Sequence, residues 1–369
     1  MRVLMTGGGT AGHINPALAI ANTIKVNIPD AEIEFVGTAR GLENTLVVKE
    51  GYKLHHINIR GISRSLSLSN IKAIMLMFTS QIEAKKIIKD FKPDIVIGTG
   101  GYVCWPALKV ASKMGIPTIA HESNARPGLA IKQLQGDLNR ILVNFKDTEK
   151  YIKNKEKVMY VGNPLRGGFG GLDYTEARKM LGIKDDETYI LAFGGSLGAQ
   201  RMNEIVFEYM KNHIQNDKKV ICHLATGRIY YKEFSQMYKE AGLEGIDNLS
   251  MMEYIHDMHI RMSAADVIVC RAGAMTISEL AMMKKASIII PSPNVVDNHQ
   301  YKNAKVLADA NATVLIEEKD LDDKSFSDAV NSLVADKSKR EELSKNIIQF
   351  ANNDANRVIY SEIVKLTQK

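Results

Sequence analysis

Residues 2–13, RVLMTGGGTAGH, run an apolar, β-prone stretch straight into a glycine-rich turn, and residues 188–199, TYILAFGGSLGA, repeat the pattern half a chain later. A strand that ends in glycines ahead of a helical pattern suits phosphate. Glycine lets backbone N–H groups approach the anion, and the helix N-terminus adds partial positive charge. Outward from these turns, short β-branched runs alternate with helical stretches: EIEFVGT, DIVIGT, PTIAH and RILVN in the first half, VICHLAT, DVIVC, ASIIIP and TVLIE in the second. The alternation predicts parallel sheets covered on both faces, hence an α/β fold of two doubly wound domains.

Two internal correspondences point to a duplication. GGTAGH (residues 8–13) aligns with GGSLGA (residues 194–199), 186 positions apart, and DIVIGTGG (residues 94–101) aligns with DVIVCRAG (residues 266–273), 172 apart. This alignment sets Thr10 against Ser196 and His13 against Ala199. The turn-rich stretch GNPLRGGFGG, residues 162–171, marks the boundary, giving domains over 1–163 and 164–353.

A chain of 369 residues is long enough for two domains, and 45% hydrophobic with 24% charged residues excludes disordered, collagenous and coiled-coil classes. Three cysteines with no C-x-x-C pair exclude a disulfide framework or a cysteine zinc cluster and fit a reducing compartment. The longest apolar run is six residues, 73–78, too short to span a bilayer, and the N-terminus lacks a secretory layout, which predicts an intracellular protein. Net charge is +6, divided as +9 over residues 1–160 (22 Lys+Arg, 13 Asp+Glu) and −3 over the rest (26 and 29). The basic first half predicts an anionic partner: nucleic acid, a phosphorylated substrate or an acidic membrane surface. Aromatic residues total only 7% and do not interleave with the basic ones, which argues against nucleic acid.

The turns restrict the chemistry. Gly7, Gly9 and Gly12 satisfy G-x-G-x-x-G, yet a dinucleotide site also needs an acid at the end of the next strand, where Glu32 and Glu34 come too early. His13-Ile14 stands where a P-loop needs Lys-Ser/Thr. The second turn formally matches the G-x-S-x-G nucleophile elbow, with Asp297 and His299 following in hydrolase order, but Ser196 aligned with Thr10 favours a shared phosphate-binding hydroxyl. His13 faces no titratable residue in the alignment, so it is a candidate general base; its structural alternative is a helix cap or a carbonyl partner. No metal site is expected: DLDD (residues 320–323) lies in a charged segment, and His256 and His259, three apart on a possible helix, have no further ligand cluster.

GGTAGHINPALAIA, IGTGGYVCWPA, HESN, VGNPLR, GGSLGAQRMN, CRAGAMTISE and DNHQYKNA, in that order, resemble the MurG family of bacterial peptidoglycan N-acetylglucosaminyltransferases, from Arg2 to about Leu315. The resemblance implies a GT-B fold, two Rossmann-like domains facing a central cleft. It also implies inverting transfer of GlcNAc from UDP-GlcNAc to the C4 hydroxyl of MurNAc in undecaprenyl-diphospho-MurNAc-pentapeptide, lipid I, without a cofactor. Carried over by motif, His13 is the base, and Thr10, Ala11, Gly12 and Asn124 reach the sugar and acceptor. Ser196 and its turn hold the diphosphate, with Arg166 as a cationic helper. The Ile255 backbone meets the uracil. Ala274, Met275, Thr276, Ile277, Ser278 and Glu279 line the nucleotide, with Glu279 on the ribose, and Gln300 contacts GlcNAc. Structural alternatives are a hinge ion pair for Arg166, a turn role for Asn124 and an exposed helix N-terminal carboxylate for Glu279. Residues 354–369 would form a helix packing back on the first domain. A same-fold rival is a nucleotide-sugar epimerase or a transferase with another acceptor.

A polyprenyl-linked acceptor implies peripheral attachment to the cytoplasmic face of an anionic membrane. Seven cations and two acids lie between Arg60 and Lys92. Ile71, Ile74, Met75, Phe78 and Ile82 follow helical spacing and read as core, leaving Leu66, Leu68, Leu76 and Met77 as the apolar patch beside the cations Arg64, Lys72, Lys85 and Lys86.

Overall fold

The structure, a computed structural model, describes residues 1–61, 68–165, 167 and 169–368, with backbone alone over residues 68–74. The chain divides into two compact units, Met1–Arg166 with Asn352–Lys369, and Gly167–Ala351.

The first unit is built on a parallel sheet of β1 (Arg2–Thr6), β2 (Glu32–Gly37), β3 (Lys53–His56), β4 (Ile95–Gly98), β5 (Thr118–Glu122), β6 (Arg140–Val143) and β7 (Val158–Tyr160), in the order 3-2-1-4-5-6-7. The second carries β8 (Thr188–Phe193), β9 (Val220–Ala225), β10 (Leu249–Met252), β11 (Val267–Cys270), β12 (Ser287–Ile289) and β13 (Val314–Leu315), in the order 10-9-8-11-12-13. Counted from its own first strand, each sheet runs 3-2-1-4-5-6, so the duplication extends to topology. The order reverses between β1 and β4 and between β8 and β11, the places where an open α/β sheet leaves a crevice at its carboxyl edge.

Both faces of the first sheet are covered at its central strands β1, β4 and β5, which is why these read as largely apolar runs. Val3 and Met5 pack with Ile14, Leu18 and Ile24 of helix Ala11–Asn27, while Leu4 points the other way into Ala84, Ile88 and Leu108. Helix Ala355–Thr367 closes the first of these layers with Ile359 and Ile363, and Glu362 accepts from Arg140 Nε at 2.6 Å. In the second unit Ile190 and Ala192 pack against Met202 and Val206 of helix Gln200–Tyr209.

Three sequence expectations are corrected. The sheets pair Thr6 with Gly98 and Phe193 with Cys270, so Gly7, not Gly8, is the counterpart of Gly194. The first turn then spends residues 7–10 before its helix starts at Ala11, while the second spends residues 194–199 before Gln200. His13 therefore lies inside a helix whereas Ala199 caps one, and Thr10 and Ser196 are not equivalent. Second, helix Met258–Ala264 begins after His256, so His256 and His259 do not share it. Third, the described part of the apolar stripe of helix Leu68–Phe91 is not core: Met75, Phe78 and Ile82 are 64%, 61% and 73% exposed, while Ala84 and Ile88 turn inward; Arg64, Leu66 and the side chains of Leu68, Ile71, Lys72 and Ile74 lie outside the described residues. Leu76 and Met77 are partly covered. The DLDD segment is spoken for as a helix start, since Asp322 caps Asp323–Ala335 by accepting from the Ser325 N–H at 2.7 Å. No described helix is long and apolar enough to cross a membrane.

Candidate functional site

Thr10, with extended φ and ψ of −138° and 155°, is the N-cap of helix Ala11–Asn27, which places Ala11, Gly12 and His13 in the first turn. A helical side chain leans toward the N-terminus, so the His13 ring folds back over the turn. Its Nδ1 lies 3.1 Å from the Gly8 carbonyl and 3.3 Å from Thr10 Oγ1. A carbonyl only accepts, so in the neutral ring Nδ1 carries the proton and Nε2 is the basic nitrogen. The ring rests on the turn after β4. A Cβ at Gly100 would come within 2.5 Å of it, and one at Gly101 within 2.6 Å of the Gly8 carbonyl; both residues hold positive φ, +114° and +82°. Only glycine satisfies both conditions. The Thr99 hydroxyl fixes the start of the helix by donating to the His13 carbonyl at 2.6 Å.

Sequence reasoning missed Glu43. It opens helix Glu43–Lys49 directly after β2, is fully buried, and accepts from the Thr38 N–H (2.8 Å), the Thr38 hydroxyl (2.8 Å) and the Gly9 N–H (3.1 Å). Burial pushes its carboxyl up, but these donors together outweigh burial and hold it below the usual range, so it is an anion. The acid missing from the dinucleotide fingerprint is thus present a few residues past the strand end, and it turns to the glycine loop. Its sequence signal is the flanking glycine: a Cβ at Gly37 or Gly41 would strike the Glu43 side chain.

Asn124 follows β5, the neighbour of β4. Buried Glu122 positions it, accepting from its N–H at 2.9 Å, its side-chain amide at 3.1 Å and the Gly128 N–H at 2.7 Å. Burial raises the Glu122 carboxyl, which these donors partly offset. His121 is buried, pushed down to about 4 by desolvation, and donates Nε2–H to the Gly162 carbonyl at 2.9 Å, a structural role. Arg166 lies outside the described residues.

In the second unit the turn after β8 is wired the other way. The carbonyls of Gly195, Ser196 and Leu197 accept from the N–H groups of Gly198 (3.1 Å), Arg228 (3.2 Å) and Ile229 (3.3 Å). In a trans peptide the N–H opposes the C=O, so with the Ser196 carbonyl bound to the Arg228 N–H the Leu197 N–H points away from that loop. Ser196 is exposed at the tip. The turn is seated by Gly198, with φ +93° and no room for a Cβ, which would lie 2.0 Å from the Thr226 carbonyl.

Helix Ala274–Met282 follows β11 with Gly273 as its N-cap. The N–H groups of a helix's first turn have no carbonyl of an earlier turn to bond to, which is what lets a helix start address an anion. Ala274 is buried and Met275 and Thr276 are partly exposed, whereas Ile277 and Ser278 face the interior, Ser278 donating to the Ala274 carbonyl at 3.2 Å. Ile277 and Ser278 therefore have backbone rather than side chain to offer. Glu279 lies in the second turn, not at the helix end, and is partly buried; desolvation pushes its carboxyl up to about 7. Gln300, in helix His299–Asp309, accepts from the Ser292 N–H at 2.8 Å beyond β12. Ile255, 3% exposed, follows β10. The hydrolase arrangement does not form: Asp297 pairs with Lys302 at 2.9 Å and His299 Nδ1 donates to the Val296 carbonyl at 2.8 Å.

Within each unit, then, the described candidates gather at the carboxyl edge of the sheet: after β1 and β5 in the first, and after β8, β10, β11 and β12 in the second. Two such Rossmann-like units in one chain define the GT-B class. Residues 3–143 match the glycosyltransferase family 28 N-terminal domain and residues 189–358 its C-terminal domain. An Acetivibrio thermocellus protein named UDP-N-acetylglucosamine–N-acetylmuramyl-(pentapeptide) pyrophosphoryl-undecaprenol N-acetylglucosamine transferase is 45% identical over 365 residues, 99% of this chain and 98% of its own. The crystal structure of Acinetobacter baumannii MurG is similar at TM-score 0.79 and 27% identity, covering 99% of both chains. A UDP-GlcNAc 2-epimerase from Neisseria meningitidis, crystallised with UDP-GlcNAc, shares the fold at TM-score 0.65 and 14% identity, over 99% of this chain and all of its own. The chain belongs to glycosyltransferase family 28 and, within it, to the MurG family.

Proposed function

We propose that this chain transfers GlcNAc from UDP-GlcNAc to the C4 hydroxyl of the N-acetylmuramyl group of lipid I, giving lipid II. The observation that carries the reading is the 45% identity, over essentially the whole of both chains, to the transferase so named. The reading carries a mechanism. His13 Nε2 takes the acceptor hydroxyl proton as O4 attacks the anomeric carbon. The bond from that carbon to the diphosphate oxygen breaks on the opposite face, so the centre inverts. The Leu197 N–H and the start of helix Ala274–Met282 meet the charge growing on UDP, with Ser196 donating its hydroxyl. Glu279 holds the ribose, Ile255 the uracil through its backbone, and Gln300 the GlcNAc, while Thr10, Ala11, Gly12 and Asn124 serve the acceptor and Arg166 assists the diphosphate. The epimerase rival keeps the fold but has no need of a base for an acceptor hydroxyl.

A lipid-linked acceptor is met at a surface. On helix Leu68–Phe91, exposed Met75, Phe78 and Ile82 lead along one face into exposed Lys85, Lys86 and Lys89, apolar anchors beside cations suited to anionic headgroups. Labelled UDP-GlcNAc supplied with a short-chain lipid I analogue tests the reaction: β1,4-linked product is expected, and UDP binding without transfer would remove the acceptor assignment. Changing Met75, Phe78 and Ile82 together to Ser should release the protein from vesicles rich in anionic lipid; unchanged sedimentation would remove the patch.

A further inference from the structure

The Gly8–Gly9 peptide has a different partner at each end. Its N–H donates to Glu43 at 3.1 Å, and its C=O accepts from His13 Nδ1 at 3.1 Å. In a trans peptide these groups point in opposite directions, so a single peptide unit is strung between a buried carboxylate and the imidazole. We propose that Glu43 is the positioning residue for the His13 base, holding its Nδ1–H tautomer and raising the basicity of Nε2 through the Gly8–Gly9 peptide. The inference rests on the reading of His13 as base.

The arrangement is built rather than incidental. Glu43 is 0% exposed, and Gly8, Gly37 and Gly41 all lack the room for a Cβ against its carboxyl. A buried carboxylate that serves only to cap a turn could be replaced by a neutral acceptor; here three donors, two from Thr38 and one from Gly9, keep it charged. A negative charge behind the N–H polarises the peptide, making the Gly8 oxygen a stronger acceptor for Nδ1–H. Hydrogen bonding at one ring nitrogen sets the behaviour of the other, so the carboxylate favours the imidazolium that forms when Nε2 takes the acceptor proton. Glu43 stays ionised throughout and receives no proton.

Other titratable groups face this assembly. From the turn and helix after β4 come Tyr102, whose ring would lie 3.8 Å from a Cβ at Gly9, and Cys104, whose thiol donates to the Gly100 carbonyl at 2.7 Å and is held neutral by burial, pushed up to about 12. From β5 comes Glu122, close enough to Cys104 to act on it electrostatically. Among these, Glu43 is the group joined to His13 by a peptide.

The test is Glu43→Gln, which keeps an acceptor for Gly9 and removes the charge. Imidazole ¹⁵N spectra of the full chain should show the His13 midpoint falling and the Nδ1–H tautomer losing its dominance. The acid limb of the kcat/KM profile should move to lower pH, kcat should fall about tenfold, a fraction of the 10²–10⁴ expected of the base itself, and KM for UDP-GlcNAc should hold. Glu43→Asp should restore part of kcat. Should Glu43→Gln not fold, wild type carries the test: the Gly9 amide proton should shift with the same midpoint as the His13 ring. A folded Glu43→Gln with unchanged tautomer and midpoint, or a Gly9 amide indifferent to His13, overturns the proposal. Full turnover by His13→Ala would instead overturn the reading of the base and leave the ring spectra to report the coupling alone.

Discussion

The two glycine turns begin alike, Gly-Gly after a central strand and before a helix, and are wired in opposite senses. After β1 the Gly9 N–H is drawn inward to Glu43 and the Gly8 carbonyl serves an imidazole. After β8 it is the carbonyls that are taken, by the N–H groups of Gly198, Arg228 and Ile229, and the Leu197 N–H points away from the Arg228 loop. A glycine-rich strand-to-helix turn is therefore not an anion site by composition. What decides is whether an internal group has already taken its N–H groups. In the first turn a buried carboxylate accepts from the Gly9 N–H, which is then not offered to a phosphate. That difference fits the reading proposed above, in which one copy of the motif holds a base and the other an anion.

The largest effect that tests this division is loss of the proposed base. His13→Ala should lower kcat by about 10²–10⁴-fold while UDP affinity stays near wild type, read by transfer of labelled GlcNAc and by calorimetry with UDP. A matching loss of UDP affinity would break the comparison, since it would make the first turn part of the nucleotide site.

Gly198→Ala strikes the other copy. Left-handed backbone costs an alanine about 1–2 kcal/mol, and the Cβ would press on a backbone carbonyl at 2.0 Å, so the turn has to move. UDP affinity should drop about tenfold or more. Gly9→Ala is the control in the first turn. Its φ of +83° carries the same backbone cost, but the nearest atom is 3.8 Å away on the Tyr102 ring, and UDP affinity should not change. Equal losses in the two variants would mean that both turns hold the nucleotide.

Much of this was legible in the sequence. Alternating apolar runs disclosed both sheets, because strands buried on two faces leave little choice of residue. The pairing of DIVIGTGG with DVIVCRAG survives in register, Gly98 and Cys270 holding equivalent strand ends. What sequence mis-set were features fixed by partners far along the chain. The glycine alignment slipped by one because the two turns differ by two residues in length, which only the sheet register reveals. The stripe Met75, Phe78 and Ile82 has the period of a core face, yet periodicity says which residues share a side and not which side meets the protein. Glu43 was missed as a site residue because, beyond its local bonds to Thr38 and the glycines that flank it, its link to the glycine turn is a contact 34 positions away, at Gly9. Ile277 and Ser278 fell inside a motif whose residues alternate between the outside and the core of a helix.

The smallest effect sharpens the anion side of the comparison. Burial pushes the Glu279 carboxyl up to about 7, against 4.5 for a free glutamate. If its role is to accept hydrogen bonds from the ribose hydroxyls, those bonds favour the ionised form, so UDP-GlcNAc, whose diphosphate lacks the second ionisation of a terminal phosphate, binds best above pH 7 and releases a proton when it binds near or below it. Affinity should fall as pH drops through 7, by up to about tenfold at pH 6, where roughly a tenth of the free protein carries the charge. In the absence of nucleotide the sign for stability follows the same shift. Between pH 4.5 and 7 the unfolded chain ionises this group while the folded chain keeps it protonated, so its contribution to stability is whole below 4.5 and is lost as pH rises toward 7. Glu279→Gln should flatten both trends, with UDP-GlcNAc affinity then independent of pH between 6 and 8 and proton release gone from calorimetry in buffers of different ionisation enthalpy. A Glu279→Gln protein that keeps the wild-type slope would move the titrating group elsewhere and leave the ribose without its carboxylate.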